Sequence, residues 1–545
     1  MKVLNFMTQE TDAEKKRILL LAAISGITNS FLLVLLNHAA TQLENGSIEA
    51  QLLFQYIITF VLFIFAQRSS QRESVTAVET ALQRVRVRIA NKVRRSELRT
   101  IEELGNIGTY SSLTQGASTV AQAVMYLVKG IESLFVLIFA SLYLLWLSPV
   151  SFLMASILIG LAIPLLIRHY HRTFSELSEA SQKEGIFFEN FTAMLKGFKH
   201  LKINQRESEA MFSNINQLAT ETGVLKSRSN VRLLEDVLLS NVTFYLLLLL
   251  VVFILPNFIP AHEENLFQVI TTILFMIGPI SAVAAALPNV SKTNVAISNL
   301  YKLEERLDKN LSEEKESKAV EPFDAFNTIT LKNVCFTYTN TEGEPLFDAG
   351  PFTLSCKRGE ILFITGGNGS GKSTFLKLLT GLYYPRQGHI YIDQRQIPTQ
   401  DYPVYRELFS VVFSDFQLFD HLYGQTDASK IEIQQEINAW LEKLDLSHIT
   451  HFEDGRFTNT DLSTGQRKRL ALIIALIQHR PILVFDELAA DQDPKFRKLF
   501  YEDILPELKQ QGKTIISVTH DDKYFGVADQ VLSMNNGQLD REAFR

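Results

Sequence analysis

Cysteine is nearly absent from this sequence, and so is any excess of basic charge. The 545 residues contain two cysteines, Cys335 and Cys356, which match no metal-ligand spacing such as CxxC. We therefore expect two lone thiols in a reducing compartment, acting as small core residues. The formal net charge is -6 with 21% charged residues, so the composition does not indicate a nucleic-acid partner.

Hydrophobic residues make up 46% of the chain, and their long runs lie in its first half. Each long run is close to the roughly 20 residues that a helix needs to cross a bilayer. The runs lie at about 18–36, 50–67, 130–147, 150–168, 237–255 and 266–288. One such run alone would also suit a buried helix of a soluble protein, but six in one half predict six transmembrane helices.

Lysine and arginine are missing from the three segments that would join these spans on one side, 37–51, 148–149 and 256–265. By contrast, residues 68–122 contain nine of them and residues 168–236 contain ten. Basic residues close to the spans stay in the cytoplasm, so we expect both termini and two long loops on that side. Polar residues interrupt the first run and a second follows closely, which favours a retained span over a signal peptide.

The two cytoplasmic loops carry apolar residues at helical spacing, so the spans are predicted to continue as helices with a turn at the bottom of each pair. After the sixth run, a charged stretch that ends at Pro322 suits a linker. We expect a transmembrane domain over residues 1–308, a linker over 309–322 and a soluble domain over 323–545.

Short β-rich runs alternate with helical segments in the soluble half and predict an α/β domain with a largely parallel sheet. The runs are TITLKNVCFTY, GEILFIT, HIYIDQ, ILVFDE and TIISVTH.

The stretch TGGNGSGKST (365–374) stands between the run ILFIT and a predicted helix, the position of a phosphate-binding loop. Its glycines let the backbone approach phosphates, and amides at the helix N-terminus bind anionic oxygens. Lys372 would reach the β and γ phosphates, and Ser373 would ligate magnesium. The residues expected to bind ATP here are Gly366, Asn368, Gly369, Ser370, Gly371, Lys372, Ser373 and Thr374.

A carboxylate pair closes the apolar run ILVFDE. Asp486 would ligate magnesium beside the phosphate loop. Glu487 would polarise the attacking water as a general base. Outside this context, such a pair would suit a solvated strand end equally well.

Residues 462–466 read LSTGQ and begin a predicted helix between the phosphate loop and the Asp-Glu pair. A serine cap and a glycine at a helix N-terminus suit a γ-phosphate. The stretch resembles the LSGGQ signature of ATP-binding cassette (ABC) proteins, which acts on the nucleotide of the opposite cassette. The resemblance implies that each cassette supplies half of every ATP site. The residues that would act on a partner chain's ATP are Leu462, Ser463, Thr464, Gly465 and Gln466.

Three further positions take roles from this resemblance. Tyr338 would stack on adenine, Asp493 would lie in the loop at the dimer interface, and His520 would contact the γ-phosphate as a switch. Alone, Tyr338 is also typical of a strand aromatic and His520 of a surface histidine. The implied catalytic residues are Glu487, His520 and Lys372.

The chain departs from the common family pattern at two positions. Ser414, in SVVFSDFQLF, stands where a glutamine usually links magnesium to the membrane domain. Asp415 or Gln417 could replace that glutamine, so Ser414 and Asp415 remain candidate magnesium ligands beside Ser373. The second departure is Thr464, which replaces a signature glycine.

The stretches FSVVFSDFQLFD, GNGSGKST, DELAADQDP and THDDKYF together resemble a narrower branch of ABC exporters. This bacterial branch exports cyclic peptides, lasso-type peptides and siderophore precursors. The loop stretch MLKGFKHLKINQRESEAMF resembles it too, although Lys196 stands where an acidic residue is usual.

The resemblance implies a membrane α-helical domain of six helices, as in type IV ABC exporters, fused to an α/β P-loop cassette. Two copies would work as a homodimer in the bacterial cytoplasmic (inner) membrane. The dimer would export a peptide-like substrate by alternating access, with ATP and Mg2+ bound.

Two other functions remain open, a lipid or lipid-linked flippase and an ATP-gated regulator that transports nothing. Near the third span, Lys129 and Glu132 would form a pair that contacts the cargo. Alternatively, Lys129 would be a lysine that snorkels to the inner membrane interface and has no role in transport.

Overall fold

The structure is a computed structural model that describes residues 6, 10, 15–44, 49–104, 106–254, 266–309, 326–340, 344–424 and 430–541. The expected linker beyond Lys309 and the expected outer segment 256–265 lie outside the described residues. The chain forms two compact units, Met1–Ser96 with Thr100–Leu311, and Glu97–Arg99 with Ser312–Arg545.

The first unit is built from long helices. They are α1 (Lys15–Glu44), α2 (Ala50–Arg95), α3 (Leu98–Leu104), α4 (Asn106–Leu147), α5 (Pro149–Lys196), α6 (Phe198–Ile203), α7 (Gln205–Leu249) and α8 (Leu266–Lys309). With 46 residues, α2 is about 70 Å long, more than twice the roughly 30 Å of a hydrocarbon core. The prediction that the spans continue as helices is therefore confirmed, and the short helices α3 and α6 follow the ends of α2 and α5.

Four helical stretches are long and apolar enough to cross a membrane, Lys16–Leu43, Ala50–Arg95, Ser118–Leu147 and Leu266–Ala286. Shorter apolar segments, Pro149–Leu158 and Asn241–Ile254, lie where the fourth and fifth spans were expected. Within the described residues, four of the expected six spans are thus found at full length. The count of six stays a prediction.

Small residues bring the helices of the first unit close together, as is common between transmembrane helices. A Cβ atom added to Gly26 in α1 would lie 2.6 Å from Cβ of Phe135 and 2.8 Å from the carbonyl oxygen of Glu132, both in α4. A Cβ added to Gly130 in α4 would lie 3.0 Å from Cβ of Ala286 in α8. At these two glycines, α4 therefore approaches α1 and α8 too closely for a larger residue to fit without a shift.

The second unit contains the expected α/β arrangement. Its strands are β1 (Thr328–Thr339), β2 (Pro345–Lys357), β3 (Ile361–Thr365), β4 (Gln387–Ile392), β5 (Arg395–Gln396), β6 (Phe409–Val412), β7 (Phe452–Glu453), β8 (Arg456–Phe457), β9 (Ile482–Asp486), β10 (Thr514–Val518), β11 (Gln530–Asn535) and β12 (Gln538–Arg541). Its helices are α9 (Lys372–Leu379), α10 (Tyr402–Arg406), α11 (Lys430–Lys443), α12 (Thr464–Leu476), α13 (Pro494–Lys498) and α14 (Leu505–Gln510).

A six-stranded sheet in the order β12-β11-β3-β10-β9-β6 forms the centre of this unit. Its strands are parallel except for β12. Every residue of β3, β9 and β10 is buried, because helices cover both faces of such a sheet. This explains why ILFIT, ILVFD and TIISV are continuous apolar runs.

The expectation of one largely parallel sheet was wrong for two of the five runs. TITLKNVCFTY and HIYIDQ lie in a separate antiparallel sheet of order β2-β1-β4-β5. In β1, buried positions are interrupted by exposed ones, the pattern of a strand with one covered face. Cys356 in β2 is buried and Cys335 in β1 is partly exposed, and both are free thiols.

Candidate active site

The carboxyl ends of four neighbouring parallel strands meet at one edge of the central sheet. Because β3, β10, β9 and β6 lie side by side and point the same way, the residues that follow them are brought together. Those residues are the phosphate loop after β3, His520 after β10, Glu487 after β9 and Ser414 after β6.

A cavity of about 500 Å³ opens at this edge. It is lined by Tyr338, Phe347, Asn368, Gly369, Ser370, Gly371, Lys372, Ser373, Thr374, Ser414, Asp486 and Glu487. Sequence reasoning placed most of these residues but missed Phe347 of β2, for which the sequence carries no distinctive signal.

The phosphate loop depends on glycine at its first position. Gly366 has φ +141°, and a Cβ atom there would lie 2.3 Å from the carbonyl oxygen of Met534 in β11. The amide of Gly537, in the turn between β11 and β12, donates a 2.8 Å hydrogen bond to the carbonyl oxygen of Ser370. Asn536 and Gly537 both have positive φ, as a two-residue hairpin turn requires. The loop is therefore attached to the hairpin of β11 and β12.

Lys372 is directed into the loop that precedes it. Its side chain is 6% exposed, and Nζ donates to the carbonyl oxygens of Gly366 at 2.8 Å and Gly367 at 3.0 Å. Nζ also lies 3.7 Å from Oε1 of Glu487. Within the described residues, the buried hydroxyl of Ser370 has no hydrogen-bond partner, which is unusual unless a ligand completes it. These donors fit the anionic oxygens of a triphosphate.

Two hydroxyls converge on one oxygen of Asp486. The Oγ atoms of Ser373 and Ser414 donate to its Oδ2 at 3.0 Å and 3.2 Å. Burial raises the pKa of Asp486 above its ordinary value, although both hydrogen bonds oppose that rise. The group consists of hard oxygen donors, which is the chemistry that Mg2+ requires. Ser373, Asp486 and Ser414 could therefore hold it.

The position of the missing glutamine was left open by the sequence, and the three candidates differ in their contacts. Ser414 contacts Asp486, whereas the amide of Gln417 donates to the carbonyl oxygen of Leu418. Asp415 is exposed and is not among the residues that line the cavity.

Glu487 adopts an uncommon backbone conformation, with φ +53°. Left-handed non-glycine residues cost about 1–3 kcal/mol and cluster at functional sites. Its carboxylate is partly exposed and lies 3.3 Å from Nε2 of His520. A water molecule can therefore reach the carboxylate from the cavity side.

Lys468 of α12 supports this conformation and was missed in the sequence. It is buried, and its Nζ donates to the carbonyl oxygens of Glu487 at 3.0 Å and Ala490 at 2.9 Å and to Oδ2 of Asp491 at 3.4 Å. The sequence shows only that a lysine lies in the predicted signature helix. A basic residue at such a position is equally typical of a solvent-exposed helix face.

Tyr338 lies at the other end of the phosphate loop. Its hydroxyl is 3.1 Å from Oγ1 of Thr374, and its ring centroid is 6.4 Å from that of Phe347. Two aromatic rings thus border the cavity where a nucleotide base would extend from the phosphates.

The signature residues form the start of α12. Ser463 caps this helix reciprocally with Gln466, since each side chain bonds the other's backbone amide, at 3.4 Å and 3.0 Å. Thr464 is the first helical residue, and Leu462 is buried beside the cap. The carbonyl oxygen of Gly465 accepts a hydrogen bond from the side-chain amide of Gln492. None of the five is among the residues that line the phosphate-loop cavity of the same chain.

Asp493 caps the next helix. Its Oδ1 accepts from the amide of Phe496 at 2.9 Å, and its other oxygen pairs with Arg469 of α12. The loop 489–494 is therefore attached both to α12 and to α13, close in sequence to Glu487.

Comparison with known proteins agrees with this geometry. The ABC transporter family model matches residues 350–490. Over 529 residues the chain is 29% identical to the ATP-binding protein SyrD of Pseudomonas syringae pv. syringae, covering 95% of this chain and 92% of SyrD. It is also 34% identical over 215 residues to the energy-coupling factor transporter ATP-binding protein EcfA1 of Mycoplasma genitalium, covering 38% of this chain and 75% of EcfA1.

A solved structure of a bacterial Atm1-family ABC exporter with ATP bound has the same fold. Its TM-score is 0.74 at 17% sequence identity, covering 98% of this chain and 95% of that chain. The helical first half and the cassette therefore occur in one exporter architecture. Together with the motifs at the sheet edge, these matches show that the chain belongs to the ABC transporter family, as an exporter half-transporter whose cassette hydrolyses ATP coupled to transport.

Proposed function

We propose that two copies of this chain form a homodimer that exports a peptide-like substrate across a bacterial inner membrane. The observation that carries the proposal is the incomplete ATP site, because the signature residues 462–466 are not among the residues that line the phosphate-loop cavity of their own chain. A second copy would supply them. The resemblance of four cassette stretches to peptide exporters supports the substrate class.

ATP would be held between the two cassettes. The loop amides, the unpartnered hydroxyl of Ser370 and the ammonium group of Lys372 would bind the triphosphate of one chain. Tyr338 would stack on the adenine. Ser463 and Gly465 of the second chain would close the site over the γ-phosphate, so that binding brings the cassettes together.

Hydrolysis would then separate the cassettes. Glu487 would accept a proton from the attacking water, and His520, at 3.3 Å, would orient this carboxylate and contact the γ-phosphate. A magnesium ion on Ser373, Asp486 and Ser414 would neutralise charge on the phosphates. Asp493, in the loop at the dimer interface, would communicate the nucleotide-bound state of one ATP site to the other cassette.

Two cytoplasmic turns would couple this cycle to the membrane helices. Glu97–Arg99, which include the first two residues of α3, group with the cassette unit. In α6, Ile203 is 89% exposed and Phe198 is 56% exposed, which is a large apolar surface for a soluble tip. We propose that both turns dock on cassettes, with the termini in the cytoplasm, and convert cassette closure into an outward-facing state.

The test is ATP-dependent uptake into inside-out vesicles that contain the full-length protein. Labelled cyclic peptides should accumulate with ATP, and vesicles with the Glu487→Gln variant should show none above background. Movement of a fluorescent lipid analogue instead of peptide would replace the proposal by a flippase. ATP hydrolysis with no movement of either would favour a regulator.

A further inference from the structure

A cavity of about 570 Å³ lies between α2 and α4 in the helical unit. Its volume is within the roughly 300–1,000 Å³ of small-ligand sites. The ATP cycle described above uses none of the residues that line it. Both charged and apolar side chains contribute to its wall, so its chemistry can be read from their arrangement.

The cavity has two guanidinium groups without an acidic partner in the described part of the chain. Arg68 and Arg72 lie one helical turn apart on α2, and both line the cavity. The third cation, Lys129 of α4, is already paired, because its Nζ lies 3.2 Å from Oε2 of Glu132. The Glu132 side chain is 4% exposed and also accepts from Oγ of Ser25 at 2.8 Å.

The only other acidic residue of the wall is Glu79, which lies near the far end of the stripe on α2. It is separated from Arg68 by eleven residues, or about 16 Å along the helix axis. The arginine end of the cavity therefore has a local positive excess, which suits an anionic group of the ligand.

The apolar part of the cavity lies away from the membrane. Arg68 follows directly after the apolar run 50–67, so it stands where α2 leaves the hydrocarbon core. Val75 and Val78 lie about 10 and 15 Å farther along the axis, and Met125 and Val128 of α4 face the same space. A lipid with its headgroup at Arg68 would direct its acyl chains the opposite way, so it would leave this part empty.

We propose that this cavity is the site where the exporter takes up its substrate, a peptide that carries a carboxylate beside apolar side chains. Arg68 and Arg72 bind the carboxylate, for which guanidinium has a matching fork of donors. Val75, Val78 and Met125 pack against the neighbouring apolar side chains. This inference rests on the proposed function, because it names the chemistry that the exported peptide presents.

The test compares two cyclic peptides of apolar residues that differ only in one aspartate or asparagine. Binding to the full-length homodimer is measured without ATP in nanodiscs of phosphatidylcholine, and stimulation of ATP hydrolysis is measured in parallel. The aspartate peptide should bind about tenfold more tightly than the asparagine peptide, because the asparagine peptide lacks one charge-assisted contact. Arg68→Gln with Arg72→Gln should reduce its affinity to that of the asparagine peptide.

Arg86→Gln is the matched control, since Arg86 is an exposed arginine of α2 outside the cavity. It should keep the preference for the acid. ATP binding by the double variant checks that the protein is folded. Equal affinity for both peptides in the unaltered protein, or a preference that survives the double substitution, overturns the proposed site.

Two further outcomes separate this proposal from the one on which it rests. Export of both peptides with no preference for the acid leaves the proposed function intact and rejects the cavity as an acid site. Absence of any peptide export rejects the proposed function itself. If added phosphatidylglycerol, but not the acidic peptide, changes ATP hydrolysis through Arg68 and Arg72, the cavity binds lipid and the proposal is wrong.

Discussion

The hydroxyl of Ser414 donates a 3.2 Å hydrogen bond to Oδ2 of Asp486, the same oxygen that accepts from Ser373. Ser414 stands where the common family carries a glutamine. A serine is too short to reach far beyond the carboxylate. The contact between Asp486, a candidate magnesium ligand, and the segment 414–419 is therefore made by Ser414 itself.

Replacing Ser414 with alanine removes one of two hydroxyl donors to Asp486. Loss of such a supporting contact typically weakens metal affinity 10- to 100-fold. We expect the magnesium concentration for half-maximal ATP hydrolysis to rise at least about tenfold. The measurement is ATP hydrolysis in nanodiscs as a function of free magnesium.

Asp415→Ala is the matched control because its side chain is exposed and outside the cavity. It should leave the magnesium titration unchanged. The opposite result, a shift with Asp415→Ala and none with Ser414→Ala, would assign the missing glutamine's role to Asp415.

Glu487→Gln should keep ATP bound but abolish turnover. The amide cannot accept the proton of the attacking water, so the rate should fall at least about 100-fold. Single-turnover hydrolysis and binding of a fluorescent ATP analogue check the two parts. Glu502→Gln, at an exposed position away from the cavity, should behave as the unaltered protein, whereas normal turnover in Glu487→Gln would refute the assignment of the base.

Lys468→Met should slow hydrolysis without weakening ATP binding. The substitution keeps the chain length but removes three hydrogen bonds that hold residues 487–491. We expect kcat to fall about tenfold, since a buried charged hydrogen bond is worth about 1.5–3 kcal/mol, while the KM for ATP changes little.

The control for this variant is Lys495→Met, at an exposed position of α13. Thermal unfolding is recorded for both. If Lys468→Met lowers the unfolding temperature and leaves kcat unaltered, Lys468 stabilises the fold and does not position Glu487.

Mixed dimers test whether each ATP site is shared by two chains. With Lys372→Ala in one chain and Ser463→Arg in the other, both defects fall on the same site and the second site stays intact. With both substitutions in one chain, each site carries one defect. We expect roughly half of the normal ATP hydrolysis in the first arrangement, if the sites act independently, and none in the second.

This measurement requires two differently tagged copies purified in sequence. Lys372→Ala with Ser463→Thr provides a matched pair that keeps the capping hydroxyl. The reverse result, no hydrolysis in the first arrangement and about half in the second, would mean that one chain builds its ATP site alone.

Sequence patterns predicted the parts of the site that follow local order along the chain. The loop 365–374 stands between an apolar strand and a helix, and ILVFD ends at Asp486, so both were recognisable from neighbouring residues. The contact of Ser414 with Asp486 was not, because it depends on β6 lying beside β9. Strand neighbours distant in sequence are set by packing of the whole sheet.

The contacts of Lys468 in α12 could not be predicted from local sequence patterns either, because they too join segments that are apart in the sequence. Its three acceptors belong to the segment after β9, and no local pattern distinguishes it from the exposed lysines of the cassette. The antiparallel sheet was missed for a related reason, since β1 pairs with both β2 and the distant β4.

The attachment of the phosphate loop to the hairpin of β11 and β12 determines when the protein becomes able to use ATP. Gly366 packs against Met534, and Ser370 accepts from Gly537. The ribosome adds Met534 and Gly537 well after the helices of the first unit and after the loop itself. A nascent chain that still lacks them cannot complete the loop. The membrane helices are therefore synthesised, and can be inserted, before the molecule begins to consume nucleotide.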